Sequence, residues 1–526
     1  MKKNITLVAW SLLLLASSAA AQTVYDGAKF IDKDLNGTAR FVSMGGAMSA
    51  LGGDISTMNT NPAGIGIYRS NDLQATFGLS SFNTKSNTVS GTFKNDDVRA
   101  EFDQVGFVFS SKIGNSTPLR YVNFGFNYRR VKSFFNKQRF SGALGDFTQT
   151  QQMAQQAYGI PYDGWDNAFS NDGIGWLSAI GYYGFVIDPL EKEQPSDPQE
   201  YIGMYDNGIG LLEVEQRGHL DEYCFNVSFN INDRVYLGLT LGGYDLNYRK
   251  NTYYEETYPG TLGEGYDLSS WNRIVGTGID FKLGAIIRPF EDSPFRFGLA
   301  MHTPTFYSLD YKTSAVLNST VMDPDGEVYN ATVSTINELP NRGEMVRPFH
   351  FQTPWLFNVS LASTVGSQFA FDAEYEYQDY GYMKFKDVDG YDSVFDFENS
   401  TRDMMKAVHG VKVGMEFKPI PEFGIRAGYN YRTSLFRDNA FKDLPYYSIQ
   451  TDTDYANTMD RHTFTFGVGY RGSMFYADLA YKFDTYKADM YPFVVLSGNT
   501  VYPSASSVTK ITNNRSQAML TLGVRF

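Results

Sequence analysis

The residues with the clearest chemical potential lie close to the amino terminus. Asp32, Asp34 and Asn36, followed by Gly37, have the spacing of the first half of an EF-hand calcium loop. The twelfth position of such a loop supplies a bidentate glutamate, and here that position holds Ser43. We therefore do not predict a calcium site at this motif.

The histidines, the single cysteine and the catalytic motifs of the sequence give little support for nucleophilic or metal-dependent catalysis. The chain has five scattered histidines and one cysteine, Cys224, which excludes a disulfide framework and a cysteine-based metal cluster. It contains no Walker loop, no G-x-S-x-G elbow and no cysteine–histidine arrangement. We expect a protein that is not an enzyme and uses no cofactor. A lipid hydrolase stays the less favoured alternative, because serine and histidine are present.

The composition is that of an acidic chain rich in aromatic side chains. Of the 526 residues, 16% are aromatic and 20% are charged, and the formal net charge is −13. Nucleic acid is therefore not an expected partner, since its recognition needs a basic face. The 49 glycines beside so many aromatic residues indicate repeated strands and turns.

The first 21 residues have the layout of a secretory signal peptide. Lys2 and Lys3 precede an apolar run over residues 5–16, and alanines 19–21 supply a small-residue cleavage site. The alternative, a membrane anchor, is weaker because the run falls short of the roughly 20 residues that span a bilayer. No later stretch approaches 18 apolar residues. The exported chain is therefore periplasmic, secreted or an outer-membrane barrel.

Strict alternation of apolar and polar residues recurs along the chain. In residues 222–231, for example, Phe225 and Val227 alternate with Asn226 and Ser228. Successive side chains of a strand point to opposite sides, so each segment has one apolar and one polar face. A soluble sandwich would turn the apolar face inward. Phe, Tyr, Val and Leu opposite Gly, Ser, Asn and charged residues suit a lipid-facing exterior and a wet interior better.

The connections between these segments alternate between short and long, which indicates a barrel over residues 73–526. We predict about fourteen antiparallel transmembrane strands, with short turns at one rim and long extracellular loops at the other. The last strand ends in an aromatic carboxy-terminal residue, Phe526, as outer-membrane barrels do. The long loops are predicted at 83–102, 132–219, 250–276, 303–353, 380–407, 433–460 and 487–515.

Residues 22–72 do not alternate and are predicted to form a hatch, or plug, inside the barrel. Residues 39–54 are small and glycine-rich, and Asn61-Pro62-Ala63-Gly64 makes a fixed turn. A compact segment before a barrel has one plausible location, its lumen. A barrel filled in this way is selective rather than an open aqueous pore.

These N-terminal residues resemble those of a known family. The run Met44-Gly45-Gly46-Ala47, the segment around Asp54 and Asn61-Pro62-Ala63-Gly64 all precede the first strand. They resemble the FadL/OmpP1/TodX outer-membrane long-chain fatty acid transporters, in particular members from Bacteroidetes. The match covers mainly residues 39–72, and the strand count and Phe526 agree with it over the rest.

The resemblance implies passive outer-membrane transport of hydrophobic compounds, above all long-chain fatty acids. The expected route runs from capture by the extracellular loops, through a hatch-gated lumen, to lateral release into the bilayer. The turn Asn61-Pro62-Ala63-Gly64 would belong to the gate. Expected partners are fatty acids, outer-membrane lipid and the barrel assembly machinery, and the protein is expected to be a monomer. A general diffusion porin and a surface-binding barrel remain alternatives.

Two groups of residues are candidates for ligand contact. By alternation, Arg129, Lys282, Lys412 and Arg426 face the lumen, where each could hold a carboxylate or neutralise an acidic residue of the same lumen. In the longest loop, Trp165, Phe169 and Trp176 belong to an apolar stretch. That stretch could capture an apolar ligand or simply pack onto the barrel mouth.

Overall fold

The computed structural model describes residues 22–205, 207–261, 263–323, 325–339, 342–388, 397–497, 500–503 and 508–526. The predicted signal peptide, residues 1–21, lies outside the described residues. Within them, no helix is both long and apolar enough to cross a membrane.

Fourteen antiparallel strands of the described chain form a closed wall, which confirms the predicted barrel. Each strand pairs with its neighbours along the wall, and β1 closes the ring by pairing with β14, from Asp72 opposite Arg525 to Asn87 opposite Lys510. The strands are β1 Asp72–Thr88, β2 Gly91–Lys112, β3 Leu119–Ser133, β4 Ile209–Ile231, β5 Val235–Thr257, β6 Gly265–Ile287, β7 Arg296–His302 with Phe306–Met322, β8 Met345–Gln352 with Leu356–Val365, β9 Phe369–Asp379, β10 Ala407–Ile420, β11 Phe423–Arg432, β12 Tyr455–Arg471, β13 Phe475–Tyr491 and β14 Thr509–Arg525.

The apolar face of the strands points outward. On β1, Leu73, Phe77 and Leu79 are 48%, 50% and 54% exposed, whereas Gln74 and Thr76 between them are buried. A sandwich would bury the apolar set, so that alternative is excluded. Closed barrels with an apolar outer band are the form in which strands cross outer membranes, and the fold indicates an outer-membrane location. The band continues through Phe107, Phe124, Phe225, Leu239, Phe281, Leu299, Phe357, Phe371, Val413, Phe464, Leu479 and Leu522.

The short turns lie at one rim, as predicted. Between β4 and β5, Asn232 and Asp233 both have positive φ, 53° and 55°. That conformation fits a two-residue hairpin turn of type I′, which Asn and Asp tolerate better than most residues. The carboxy-terminal residue lies at the same rim, where Phe526 and Asn71 exchange two backbone hydrogen bonds of 3.0 and 3.2 Å.

At the other rim the strands extend further than predicted. The predicted loop 83–102 is a hairpin in which β1 and β2 continue to a two-residue turn at Val89 and Ser90. Much of the predicted loop 250–276 likewise continues β5 and β6. Backbone pairing does not need an apolar face, so strands run on above the outer band, where the outward side chains become polar.

The connections at this rim, called the long-loop rim below, carry additional elements. The helices are α3 Gln149–Gln156, α4 Trp176–Tyr183, α5 Thr335–Glu338 and α6 Phe397–Met404, with 3-10 turns at Ala168–Ser170 and Tyr380–Tyr382. The short strands are Asn136–Ala143, Ile187–Pro189, Tyr201–Gly203, Val328–Ser334, Lys384–Lys386, Val494–Ser497 and Thr500–Pro503. The chain before β1 forms α1 Val24–Ile31, α2 Ala39–Ser43 and 3-10 turns Ile55–Asn59 and Pro62–Ile67.

Candidate functional site

The N-terminal segment, residues 22–71, lies inside the wall. Most of its side chains are buried, and it contacts inward-facing groups on strands around the ring. The Ala39 amide, for example, donates to Thr521 Oγ1 of β14 at 2.7 Å. The Asn61 side-chain amide donates to the Ala285 carbonyl of β6 at 3.2 Å. The segment therefore fills the lumen at the level of these contacts.

Two facing glycines receive the turn that begins at Asn61. Gly238 of β5 pairs with Gly284 of β6, and both present bare backbone to the lumen. A Cβ at Gly284 would overlap Asn61 Oδ1, and one at Gly238 would overlap the Pro62 carbonyl. The Pro62 carbonyl also accepts a hydrogen bond of 2.8 Å from Ser228 Oγ of β4. This glycine pair is called the first socket below.

A second glycine pair receives the run that begins at Met44. Gly414 of β10 pairs with Gly428 of β11. A Cβ at Gly414 would overlap the Met44 carbonyl oxygen, and one at Gly428 would overlap the Gly45 amide nitrogen. The two sockets therefore hold two separate parts of the N-terminal segment against two separate parts of the wall.

Two carboxylates of β9 hold the backbone between these docked parts. Glu374 Oε1 accepts from the amides of residues 48 and 49 at 2.7 and 2.6 Å. Asp372 Oδ2 accepts from the amides of residues 50 and 51 at 3.1 and 2.7 Å. Hydrogen bonds from backbone N–H groups to carboxylates are stronger than neutral ones, so these four bonds fix the segment to β9.

Two of the predicted lumenal cations meet at one carboxylate. Arg129 donates to Glu222 Oε2 at 2.7 Å, and Lys282 lies 2.8 Å from Glu222 Oε1 and 2.6 Å from Asp280 Oδ1. The side chain of Asn59, from the N-terminal segment, also donates to Glu222 at 2.7 Å. Arg129 and Lys282 thus belong to one buried cluster that contacts the N-terminal segment.

The other two predicted cations are also paired. Lys412 lies 2.6 Å from Glu376 Oε1 and 3.5 Å from Glu374 Oε2. Arg426 lies 2.6 Å from both Glu416 and Asp478. In the described structure, all four predicted cations contact acidic residues of the wall, which is the pairing alternative, and they are spread over separate clusters.

The three predicted aromatic residues of the long loop lie inside a cap at the long-loop rim. The cap consists of residues 144–208 and 433–454. Trp165, Phe169 and Trp176 are each at most 3% exposed. The indole of Trp165 donates to Tyr201 Oη at 2.9 Å, and the Trp176 amide donates to the Ser448 carbonyl at 2.9 Å. These three side chains therefore pack within the cap.

Buried ion pairs hold the second part of the cap in the lumen. Lys250 of β5 contacts Asp452 and lies 2.7 Å from Asp454 Oδ1. Asp452 also accepts a hydrogen bond of 2.6 Å from the side-chain amide of Asn272 on β6, and it lies 3.1 Å from Lys442. The lumen is thus occupied at two levels, by the cap and by the N-terminal segment.

A cavity of ≈ 190 Å³ lies between the cap, the N-terminal segment and the wall. It is lined by both aromatic and charged side chains, a combination that suits a molecule with an apolar body and a charged end. Its aromatic residues are Tyr25, Phe82, Phe134, Phe135, Tyr380, Phe436, Tyr455 and Tyr486. Its charged residues are Asp26, Lys29, Asp32, Asp34, Lys132, Lys250, Arg432, Lys442, Asp454, Arg461, Asp484 and Arg515.

Asp32, at the end of α1, contacts three cations of the wall beside this cavity. Lys132 of β3 lies at 2.9 Å, Arg432 of β11 at 3.0 Å and Arg461 of β12 at 3.5 Å. Burial by itself would raise the pKa of Asp32. The charges of Arg461, Lys132 and Arg432 outweigh burial and lower that pKa well below its ordinary value.

Asp34 makes the corresponding contacts one step further along the N-terminal segment. Its carboxylate lies 2.8 Å from Arg515 of β14 and 3.4 Å from Arg461. Burial opposes ionisation here too, but Arg515 and Arg461 lower the pKa of Asp34. The same Arg515 lies 2.6 Å from Glu101 of β2. We call Asp32 and Asp34, with the four cations they contact, the latch.

The wall is not continuous beside the cavity. β2 pairs with β3 only up to Gln104 opposite Arg129. Above that pair, β2 has a strand partner only in β1, and β3 and the strand Asn136–Ala143 have one only in β4 within the described chain. Isolated hydrogen bonds still cross the gap, from the Arg139 amide to Ser86 Oγ at 3.3 Å and from the Ser90 amide to the Ser141 carbonyl at 3.4 Å. The guanidinium of Arg99 lies 3.6 Å from the Phe135 ring centroid. The break is therefore lined by side chains.

The lower end of this break lies at the upper edge of the outer apolar band, where Phe102 pairs with Phe77, and the break continues from the cavity. Val98 and Phe102 of β2, which border it, point outward and are exposed. A second cavity of ≈ 500 Å³ lies among the β1–β2 hairpin, the strand Asn136–Ala143 and the parts of β4, β5 and β6 near the long-loop rim. Thr84 and Gln138 line both cavities, so the space in the lumen reaches the break in the wall.

Sequence reasoning missed both the sockets and the latch. Alternation already placed Arg426 in the lumen, and Arg432 has the same parity six residues later on the same strand. Following the inward-facing positions to the strand ends would also have found Arg461 and Arg515. It would not have found Lys132, which follows a register shift in β3 and breaks the alternation that begins at Arg129. The motif at Asp32 and Asp34 was examined only as a calcium loop. No group of three or more His, Cys, Asp or Glu side chains in the described chain is placed to hold a metal ion.

The structure resembles solved structures of a FadL homologue, a toluene transporter and a monoaromatic hydrocarbon channel. A Pseudomonas aeruginosa FadL homologue aligns over 94% of this chain and 99% of its own, at 11% identity and a TM-score of 0.53. The P. putida toluene transporter TodX aligns over 94% and 99% at 13% identity and a TM-score of 0.49. The monoaromatic hydrocarbon channel CymD aligns over 94% and 98% at 10% identity and a TM-score of 0.45.

No protein-family model and no curated protein sequence matches the chain. At such low identity, the likeness to the FadL homologue establishes a shared fold, and it confirms the predicted resemblance at that level.

Proposed function

We propose that this barrel is a passive outer-membrane channel for hydrophobic compounds, long-chain fatty acids above all, which it releases sideways into the bilayer. The observation that carries the proposal is the continuity between the lumenal cavity and the break between β2 and β3. An apolar solute that enters the cavity has a route to hydrocarbon that avoids the lumen below the N-terminal segment.

The driving force for such a route is the hydrophobic effect. Transfer of an apolar chain from water to apolar surroundings contributes about 0.8 kcal/mol per buried CH₂. Both the aromatic lining of the cavity and the outer band at Val98 and Phe102 offer such surroundings. Exposed aromatic side chains of the cap, such as Tyr162 and Phe185, are the surface on which we propose first capture.

In this proposal the N-terminal segment acts as a hatch that opens only for a solute. An open diffusion porin would need an aqueous lumen, whereas here the segment and the cap fill it at two levels. The docked turn at Asn61 and Pro62 holds the lower part of the hatch. The latch holds its upper part, next to the cavity.

The direct test is uptake of radiolabelled oleate by cells with and without the protein, combined with closure of the break. Replacing Arg99 and Phe135 with cysteine allows a short thiol cross-linker to join the two sides of the break. The native Cys224 is fully buried and should not react. We expect cross-linking of the double variant to reduce oleate uptake several-fold. The same reagent should leave oleate uptake by either single-cysteine variant unchanged. Full uptake through the cross-linked barrel would contradict lateral release.

A further inference from the structure

We propose that the outer face of the wall binds the phosphate groups of lipopolysaccharide, the phosphorylated glycolipid of the outer leaflet, at a row of four cations on β4 to β7. This cationic row consists of Arg217, Arg249, Arg273 and Lys312. The inference concerns the outside of the barrel and does not depend on what passes through its lumen.

The strand register places the four cations side by side. Arg217 of β4 lies opposite Arg249 of β5. Arg249 in turn lies opposite Arg273 of β6, and Arg273 lies opposite Lys312 of β7. Directly opposed residues of antiparallel strands have Cβ atoms about 4.5–5.5 Å apart, and like charges at that separation repel. An anion bound across the row would offset this repulsion.

The protein itself supplies little negative charge to the cationic row. Arg217 lies 2.7 Å from Glu215, but that carboxylate also lies 3.1 Å from Lys137. The other three cations make no ion pair within the described residues. In the same part of the chain, Arg273 Nε is buried and has no hydrogen-bond partner. The row therefore keeps unused donors and a surplus of positive charge.

Two carboxylates of the same outward face lie nearer the outer band. Asp310 precedes Lys312 by two residues, and Asp245 precedes Arg249 by four. Neither makes an ion pair with the cationic row in the described structure. Charges that do not touch are screened by water and salt at a surface, so these two carboxylates reduce the surplus without cancelling it.

The cationic row lies at the level of the lipid head groups. Tyr223, Ile279 and Phe306 are exposed at the upper edge of the outer band, and the row lies six residues further along the same strands. At about 3.4 Å per residue and a tilt of about 40°, six residues rise about 15 Å. The long-loop rim of such barrels is extracellular, so this level belongs to the outer leaflet. Arg and Lys side chains are long enough to reach from there towards the bilayer.

Cations recur at this level on other strands. Lys85 of β1 lies directly opposite Lys94 of β2, six residues beyond Leu79, which is exposed in the outer band. Lys487 of β13 is likewise six residues beyond the exposed Tyr481. Positive charge at a common distance above the band matches a layer of anionic head groups around the barrel.

Residue types and surroundings favour a phosphorylated lipid over a free anion. Three of the four cations are arginines, whose planar fork binds phosphate through two hydrogen bonds. Phe281 and Leu283 are exposed on β6 below the row and offer apolar surface to acyl chains. A glycolipid can contact this surface and the cationic row together, whereas inorganic phosphate can contact only the row.

The experiment measures glycolipid binding to the purified full-length chain in detergent by native mass spectrometry. The probes are a short-core lipopolysaccharide with phosphorylated inner sugars, the same glycolipid after dephosphorylation, and inorganic phosphate as a competitor. The test variant is R249Q/R273Q. The matched control is K112Q/R120Q, which removes two cations from β2 and β3 at the short-turn rim. Heat-modifiable migration on gels verifies that each variant keeps the barrel.

We expect R249Q/R273Q to bind the phosphorylated glycolipid about tenfold more weakly than the unaltered chain, and K112Q/R120Q to stay within twofold of it. The dephosphorylated glycolipid should bind weakly and equally to all three proteins. Inorganic phosphate at the same concentration should not displace the phosphorylated glycolipid.

Each contrary result overturns a distinct part of the inference. Equal binding by R249Q/R273Q and K112Q/R120Q would show that the cationic row is not the site. Tight binding of the dephosphorylated glycolipid would exclude phosphate as the group recognised. Displacement by inorganic phosphate at equal concentration would make the row a site for free anions and would overturn the assignment to lipid.

Discussion

Gly238 of β5 lies directly opposite Gly284 of β6, and the pair leaves bare backbone where Asn61 and Pro62 dock. Neither glycine is needed for a turn, since both lie within regular strands. Their shared property is that a side chain at either position would occupy the volume of the docked turn. The contact between the wall and the N-terminal segment therefore explains why positions 238 and 284 of the barrel are glycines.

The first prediction concerns this socket. In G284A, the new methyl group would overlap Asn61 Oδ1 and lie 2.9 Å from Pro62 Cδ, so the turn must move away from the wall. Overpacking of this kind costs about 1–3 kcal/mol. We expect higher ion conductance in planar bilayers, with barrel migration on gels unchanged.

The control for this substitution is G243A on β5. A Cβ there has a single neighbour in the described structure, the Tyr223 carbonyl at 3.9 Å, so the added methyl group has room. Conductance of G243A should equal that of the unaltered chain. If G284A conducts no better than G243A, the socket does not determine how tightly the lumen is filled.

The second prediction concerns the proline of the docked turn. Pro62 occupies the first position of a 3-10 turn, and its fixed φ restricts the backbone that meets both glycines. In P62A the turn gains freedom, so oleate uptake should change while the barrel stays intact. P289A, in the short turn between β6 and β7, is the control. Identical uptake by P62A and the unaltered chain would argue against a gating role for the turn.

The third prediction uses the lowered pKa values of Asp32 and Asp34. A carboxylate with a lowered folded-state pKa stabilises the folded arrangement above its unfolded pKa of about 3.9, and this is lost as pH falls through the folded pKa. The latch should therefore hold from pH 7 down to about pH 4 and loosen only below. The unaltered chain should keep a constant, low conductance over that range.

The D32N/D34N variant should show a raised conductance that does not depend on pH over the same interval. The control is D97N, whose carboxylate lies 3.4 Å from Arg99 on the β1–β2 hairpin, outside the latch. A rise in the conductance of the unaltered chain between pH 6 and pH 5 would mean that Asp32 and Asp34 do not hold the hatch.

The barrel could be predicted from the sequence because alternation is a local signal. Two residues such as Phe225 and Asn226 already show which face is which, and the apolar outer band demands that pattern throughout. At the long-loop rim the strands were predicted to end before they do. Above the outer band the outward side chains become polar, and only backbone pairing defines a strand. The turn at Asn61 was identified, but its socket required the register that places Gly238 opposite Gly284.

The latch could not be predicted because its parts are far apart in the chain. Asp32 and Arg461 are separated by more than 400 residues, and only closure of the ring brings β3, β11, β12 and β14 around the hatch. The alternation of inward-facing positions restricts which cations reach the lumen, but it does not set their position along the barrel axis. Because of their different positions along that axis, Arg426 pairs with Glu416 and Arg432 contacts Asp32.

The last prediction concerns the cap. Asp452 joins Lys250 of the wall to Lys442 of the cap, and all three side chains are buried. D452N keeps an amide in place of the carboxylate but removes the charge that both lysines share. Loss of one partner in a buried ion pair costs up to about 3–5 kcal/mol, so residues 433–454 should detach from the lumen while the strands persist.

Lys442 is the only lysine in that segment, so a protease specific for lysine reports its release. We expect cleavage after Lys442 in D452N, seen by mass spectrometry, and none there in D438N, whose substituted side chain is exposed. Resistance of Lys442 in D452N would show that contacts other than these ion pairs hold the cap.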